Sequence, residues 1–154
     1  VVPLDPLTAP AGAGLRIVRM QVVEIKGQNS SMPVTASRED FEQMVADALD
    51  SIPEDLAEAM ENVVVLVEDW PTPEQLDGRG DTLLGLYEGV PLIDRGPISY
   101  AGFAPDRITL FQGPLCLLAR DRDDLARNVR TTVLHEVGHY FGMSEDRLHE
   151  LGWA

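Results

Sequence analysis

The chain has 154 residues, a formal net charge of −14, and an ordinary share of apolar (44%) and aromatic (6%) side chains, which predicts one main globular domain with a real core. A field of that sign repels phosphate backbones, so no nucleic acid partner is expected. No apolar run approaches the roughly 18 residues of a membrane-spanning helix, so no membrane partner is expected either.

Residues 1–31 differ from the rest. VVPLDPLTAPAGAG is rich in Pro, Gly and Ala, lacks periodicity and reads as disordered, whereas residues 15–25 suit a strand. Arg16, Arg19 and Lys26 outweigh Asp5 and Glu24 by one charge, which leaves −15 and no lysine on residues 32–154. Met32 directly precedes a well-formed helix start, so translation is expected to begin there, with residues 1–31 a disordered or misassigned extension to a domain at 32–154. No basic-then-apolar leader opens the chain, and its single cysteine, Cys116, sits in the apolar run LCLLA as a small buried hydrophobe. A cytoplasmic location is expected.

Ser37 is the expected N-cap of the first helix, with Asp40 as its capping-box partner. Phe41, Met44, Val45, Ala48, Leu49 and Ile52 recur at helical spacing, and Pro53 ends the pattern. A short acidic helix is expected over Asp55–Glu61 and a buried strand over Val63–Glu68. Trp70–Thr82 reads as a connection, Leu83–Tyr87 as a short strand, and Val90–Pro105 as turns. Arg107–Phe111 suits a strand and Pro114 the first turn of a helix through Ala119. A long helix is expected over about residues 122–141, capped by Asp121, with Leu125, Val129, Val133 and Val137 as its buried stripe. Gly142 ends it as a residue free to take positive φ, and Ser144 caps a last helix, Glu145–Leu151, that stops at Gly152.

The chemistry lies in residues 135–145, HEVGHYFGMSE. His135 and His139 stand one turn apart on one helix face, where two neutral imidazoles can share a Zn²⁺ ion. Glu136, beside the first ligand, is suited to be the general base toward a zinc-activated water. After Gly142 reverses the chain, Glu145 falls at the third-ligand position of the H-E-x-x-H-x-x-G-x-x-H pattern, as a carboxylate in place of an imidazole. Asp146 and His149 are its competitors. His149, one turn past Glu145, could also hydrogen-bond to it or be a plain surface imidazole. Tyr100, Tyr140 and Arg147 are open as oxyanion donors. Gly78, Gly80 and Gly85 form no phosphate-binding pattern, and Met44 and Met60 read as core fillers.

From about Ser37 to Trp153 the chain resembles the minimal zincin family, small zincin-like metallopeptidases common in actinobacteria. The resemblance is carried by SREDFEQMVADALDSIPEDL, VVVLVED, LLGLYEG, PDRITLFQGPL and VLHEVGHYFGMSEDRLHELGW. It implies an α+β, zincin-like fold: a small twisted mixed β-sheet packed against an active-site helix carrying H-E-x-x-H, with further short helices. It also implies a bacterial zinc metallopeptidase, with Zn²⁺ held by His135, His139 and the acid at Glu145, and Glu136 as base. Members often carry Asp at that last position; Glu145 is one methylene longer. The expected partner is a peptide or protein substrate, and by analogy with larger zincins Arg107–Phe111 is the expected sheet edge for it. A zinc-stabilised, non-catalytic binding or regulatory domain is the alternative, favoured if Glu145 and His149 both close the metal site. Metal-dependent RNA hydrolysis is a third reading, opposed by the acidic charge.

Overall fold

The computed structural model describes the backbone of Arg16–Arg19 and residues 32–78, 82–95 and 104–154. In chain order, β1 (Arg16–Arg19) is followed by α1 (Arg38–Asp50), α2 (Glu54–Ala59), β2 (Val63–Glu68) and α3 (Pro73–Leu76). Then come β3 (Gly85–Gly89), a 3₁₀ turn (Leu92–Asp94), β4 (Asp106–Phe111), α4 (Gln112–Leu118), α5 (Arg122–Tyr140) and α6 (Glu145–Leu151). The described strands form one mixed sheet in the order β1-β3-β4-β2. β2 and β4 run parallel with Val63 opposite Asp106, while β3 is antiparallel to β4 with Gly85 opposite Leu110. β1 is antiparallel to β3, with Arg16 opposite Gly89 and Arg19 opposite Leu86. It falls inside the strand expected at residues 15–25; the rest of that strand, and the disorder expected for VVPLDPLTAPAGAG, lie outside the described residues.

Alternation along the strands decides which face is covered. Tyr87, Ile108 and Leu110 join Val63, Val65 and Val67 in the main core, where they meet Val129, Val133 and Val137 of α5 and Phe41 and Val45 of α1. Leu83, Leu86 and Phe111 form a second, smaller cluster with Leu76. α5 therefore lies between the sheet and α1, with β3 and β4 as its main sheet contacts.

Local chemistry explains the element ends. Ser37 Oγ accepts the Asp40 backbone N–H at 3.0 Å, but the Asp40 carboxylate bonds Arg122 across to α5 instead of closing a capping box. The expected connection Trp70–Thr82 holds α3, whose capping box is complete: Thr72 Oγ1 accepts the Gln75 N–H, and Gln75 Oε1 accepts the Thr72 N–H. β4 passes straight into α4, with Phe111 as N-cap. The strand placed at Arg107–Phe111 is thus real, but β4 lies between β2 and β3, and its backbone groups are already spent on both neighbours. It offers no docking edge, which corrects the expectation. No helix among the described residues is long and apolar enough to cross a membrane.

Candidate metal centre

The centre is built on α5 and α6. Asp121 caps α5 by accepting the Asp124 N–H, and the stripe Leu125, Val129, Val133 and Val137 is fully buried against the core. Burying that stripe leaves His135 and His139 facing α6 and Trp153, while Glu136 is turned under β3. The two imidazole centroids lie 4.6 Å apart with planes crossed at 76°.

Gly142, at φ +75°, reverses the chain after α5. Ser144 then caps α6, which begins at Glu145 as expected. α6 is drawn in by Gly138: a Cβ there would lie 2.2 Å from Leu148 Cδ2, so only a missing side chain lets the fully buried Leu148 seat against α5. The result places Glu145 Oε1 at 3.3 Å from His139 Nε2 and 3.6 Å from His135 Nε2. One ligand atom from each of these three residues lies within 4.8 Å of the others.

His135 is oriented by the end of the chain. Its Nδ1 lies 2.9 Å from the backbone carbonyl of Trp153. A carbonyl can only accept, so Nδ1 carries the proton and Nε2 keeps its lone pair for the cluster. Burial lowers the His135 pKa most, the Trp153 bond and Glu145 oppose that shift, and His149 adds to it.

Glu136 is wholly buried beneath β3. A Cβ on Gly85 would stand 2.8 Å from Glu136 Oε1 and 2.7 Å from Thr132 Cγ2, so the strand backbone itself roofs the carboxyl. Burial pushes this carboxyl well above the usual range, the charge of Glu145 raises it further, and the Tyr87 backbone amide works against both. Neither oxygen has a hydrogen-bond partner of normal geometry, and His135 Nε2 is likewise buried without one. Orphaned atoms of this kind are costly in a folded interior unless something completes them. Two imidazoles and a carboxylate are a donor set that suits zinc. The residues present therefore fit a Zn²⁺ held by His135, His139 and Glu145.

Other candidates fall elsewhere. Asp146 and His149 are exposed on α6 and lie outside the cluster of three. Tyr140 is buried, and its hydroxyl is taken up by the Glu61 backbone N–H at 3.1 Å and by Arg95. Arg147 bonds Glu150 at 2.9 Å. Tyr100 lies outside the described residues. Gly85, Gly138 and the Trp153 carbonyl were missed as parts of the centre. The glycine inside HEVGH was a readable cue for close helix packing, whereas a backbone carbonyl leaves no trace in a sequence.

Fold and cluster together are those of a small α/β protein with a His-His-Glu group that could hold a metal ion. The chain belongs to the zincin-like metallopeptidase family, whose model matches residues 60–153, more than half of its length. No curated protein matches it. Membership implies a metal, usually zinc, and a peptidase class of activity.

Proposed function

We propose that the protein is a zinc-dependent metallopeptidase with Glu136 as general base and His135, His139 and Glu145 as metal ligands. The observation that carries this reading is the convergence of one ligand atom each from His135, His139 and Glu145, with the wholly buried carboxyl of Glu136 on the same helix, one residue after His135. When bound, zinc supplies Lewis acidity toward a carbonyl and toward water. Glu136 accepts the proton of the attacking water at a carboxylate oxygen and returns it to the leaving amine nitrogen. Its burial and the roof at Gly85 exclude bulk water and fix its orientation. The Trp153 carbonyl holds His135 in the tautomer that leaves Nε2 to the metal.

A purely structural zinc site takes four protein ligands and needs no base. Among the described residues three donors converge here, which favours the hydrolase over the non-catalytic domain. The partner in this reading is a peptide or protein, with neither nucleic acid nor membrane involved, and a single cysteine suits a cytoplasmic setting.

Glu136→Gln tests the assignment. Zinc content should stay at the wild-type level while turnover of a proteome-derived peptide library falls about 10²–10⁴-fold. His139→Ala should lose the metal. Equal turnover by Glu136→Gln removes that residue from the mechanism, and unchanged zinc in His139→Ala removes that ligand.

A further inference from the structure

β3 runs beside the half of α5 that carries the metal-capable cluster. Gly85, at its start, lies on Thr132 and Glu136, and Ile93, just past its end, lies on Gly142. One edge of β3 is paired with β4. The other side of β3 is paired with β1, from Arg16 opposite Gly89 to Arg19 opposite Leu86, one residue short of Gly85, which lies on Glu136. β1 is a four-residue strand at the end of the sheet order, and its main contact is with β3. An edge of this kind presents a row of N–H and C=O groups that any extended chain can satisfy.

Charge narrows the occupant. The strand RIVR comes from the part of the chain with net positive charge, whereas residues 32–154 carry −15 with no lysine. Opposite charge steers association and selects partners. We propose that β1 is a self-docked strand: it holds in cis the β3 edge on which the enzyme binds extended, basic peptides, so a substrate must displace it. This inference rests on the hydrolase reading for the word substrate, but the docking itself does not depend on zinc or turnover. A tethered strand competes at an effective concentration on the order of millimolar. Occupancy by β1 therefore weakens every peptide that uses the same edge.

The test uses the full chain with Ile17→Pro and Val18→Pro together, which remove ladder N–H groups from β1. Binding of a fluorescent synthetic peptide, LRIVRMQV, is measured by anisotropy beside its charge-reversed form, LEIVEMQV. The double variant should bind LRIVRMQV about tenfold or more tightly than the unaltered protein does, and more tightly than it binds LEIVEMQV. Equal affinity of the two proteins, or no binding by either, overturns the self-docked strand. Equal affinity for the two peptides overturns the basic preference. Native-state hydrogen exchange on the unaltered protein gives an answer even where the variant fails to fold. Amides of β1 should exchange by local release, far faster than those of β4, and matched protection would make β1 a fixed part of the sheet. An inactive protein that still shows the peptide result refutes the hydrolase reading alone, and an active one without it refutes only the strand.

Discussion

At Gly85 the fold leaves out a side chain so that Glu136 and Thr132 can lie directly under a strand. Gly85→Ala brings a methyl group to 2.7 Å from Thr132 Cγ2 and 2.8 Å from Glu136 Oε1. Such overpacking costs about 1–3 kcal/mol. Zinc content should survive, because no ligand moves directly, while turnover falls steeply, since a misplacement of about 1 Å costs about 10²-fold. Adding Thr132→Ser removes one of the two clashes. Urea melts should show part of the stability recovered and turnover assays should show none, because the clash with Glu136 remains. Full recovery of turnover would place the effect on Thr132 and acquit the base. The same scale shows what a sequence conveys about a site. Helical spacing and one glycine suffice to expect His135, His139 and Glu145 near one another, and the described structure groups those three, with Glu136 on the same helix lying under β3. The roof over Glu136 was not legible, since it depends on which strand crosses α5 and at which residue.

The elements were read best where capping chemistry is local. α5 and α6 start at Asp121 and Ser144 and stop before Gly142 and Gly152, as their sequences require. α3 was readable too, because Thr72, Pro73 and Gln75 spell a capping box, but the run of Pro, Gly and Asp around it suggested only a connection. Strand order is not readable from the sequence, because periodicity says which face is buried and nothing about neighbours, so the interior place of β4 has no signal in Arg107–Phe111. The start of α5 has its own pH dependence. Asp124 accepts bonds from the side chain and backbone of Arg120 and from Arg127, and its carboxyl is held far below the ordinary aspartate range, the Arg120 side-chain bond being the largest cause. A depressed folded-state pKa adds stability above the unfolded value of about 3.9, and that contribution is lost as pH falls toward the folded value. Asp124→Asn should therefore melt below the unaltered protein at pH 7, with the gap shrinking below about pH 4. A gap that is constant with pH would show that the charge of Asp124 contributes nothing.

At the scale of the whole molecule, a four-stranded mixed sheet and α1 clamp α5 from two sides, so the metal-capable stripe sits on a rod that cannot rotate. The last residues of the chain close the arrangement, Leu148 by packing on Gly138 and Trp153 by its carbonyl on His135. The acidic body around this centre favours a cation at the cluster and cationic chains near it. X-ray absorption at the zinc edge of the stoichiometrically loaded protein tests the account most directly. The account predicts one zinc per chain with two imidazole nitrogens at about 2.0–2.1 Å and the remaining first-shell donors all oxygen. A third imidazole in the shell, which would bring in His149, or a sulfur from Cys116, would contradict it.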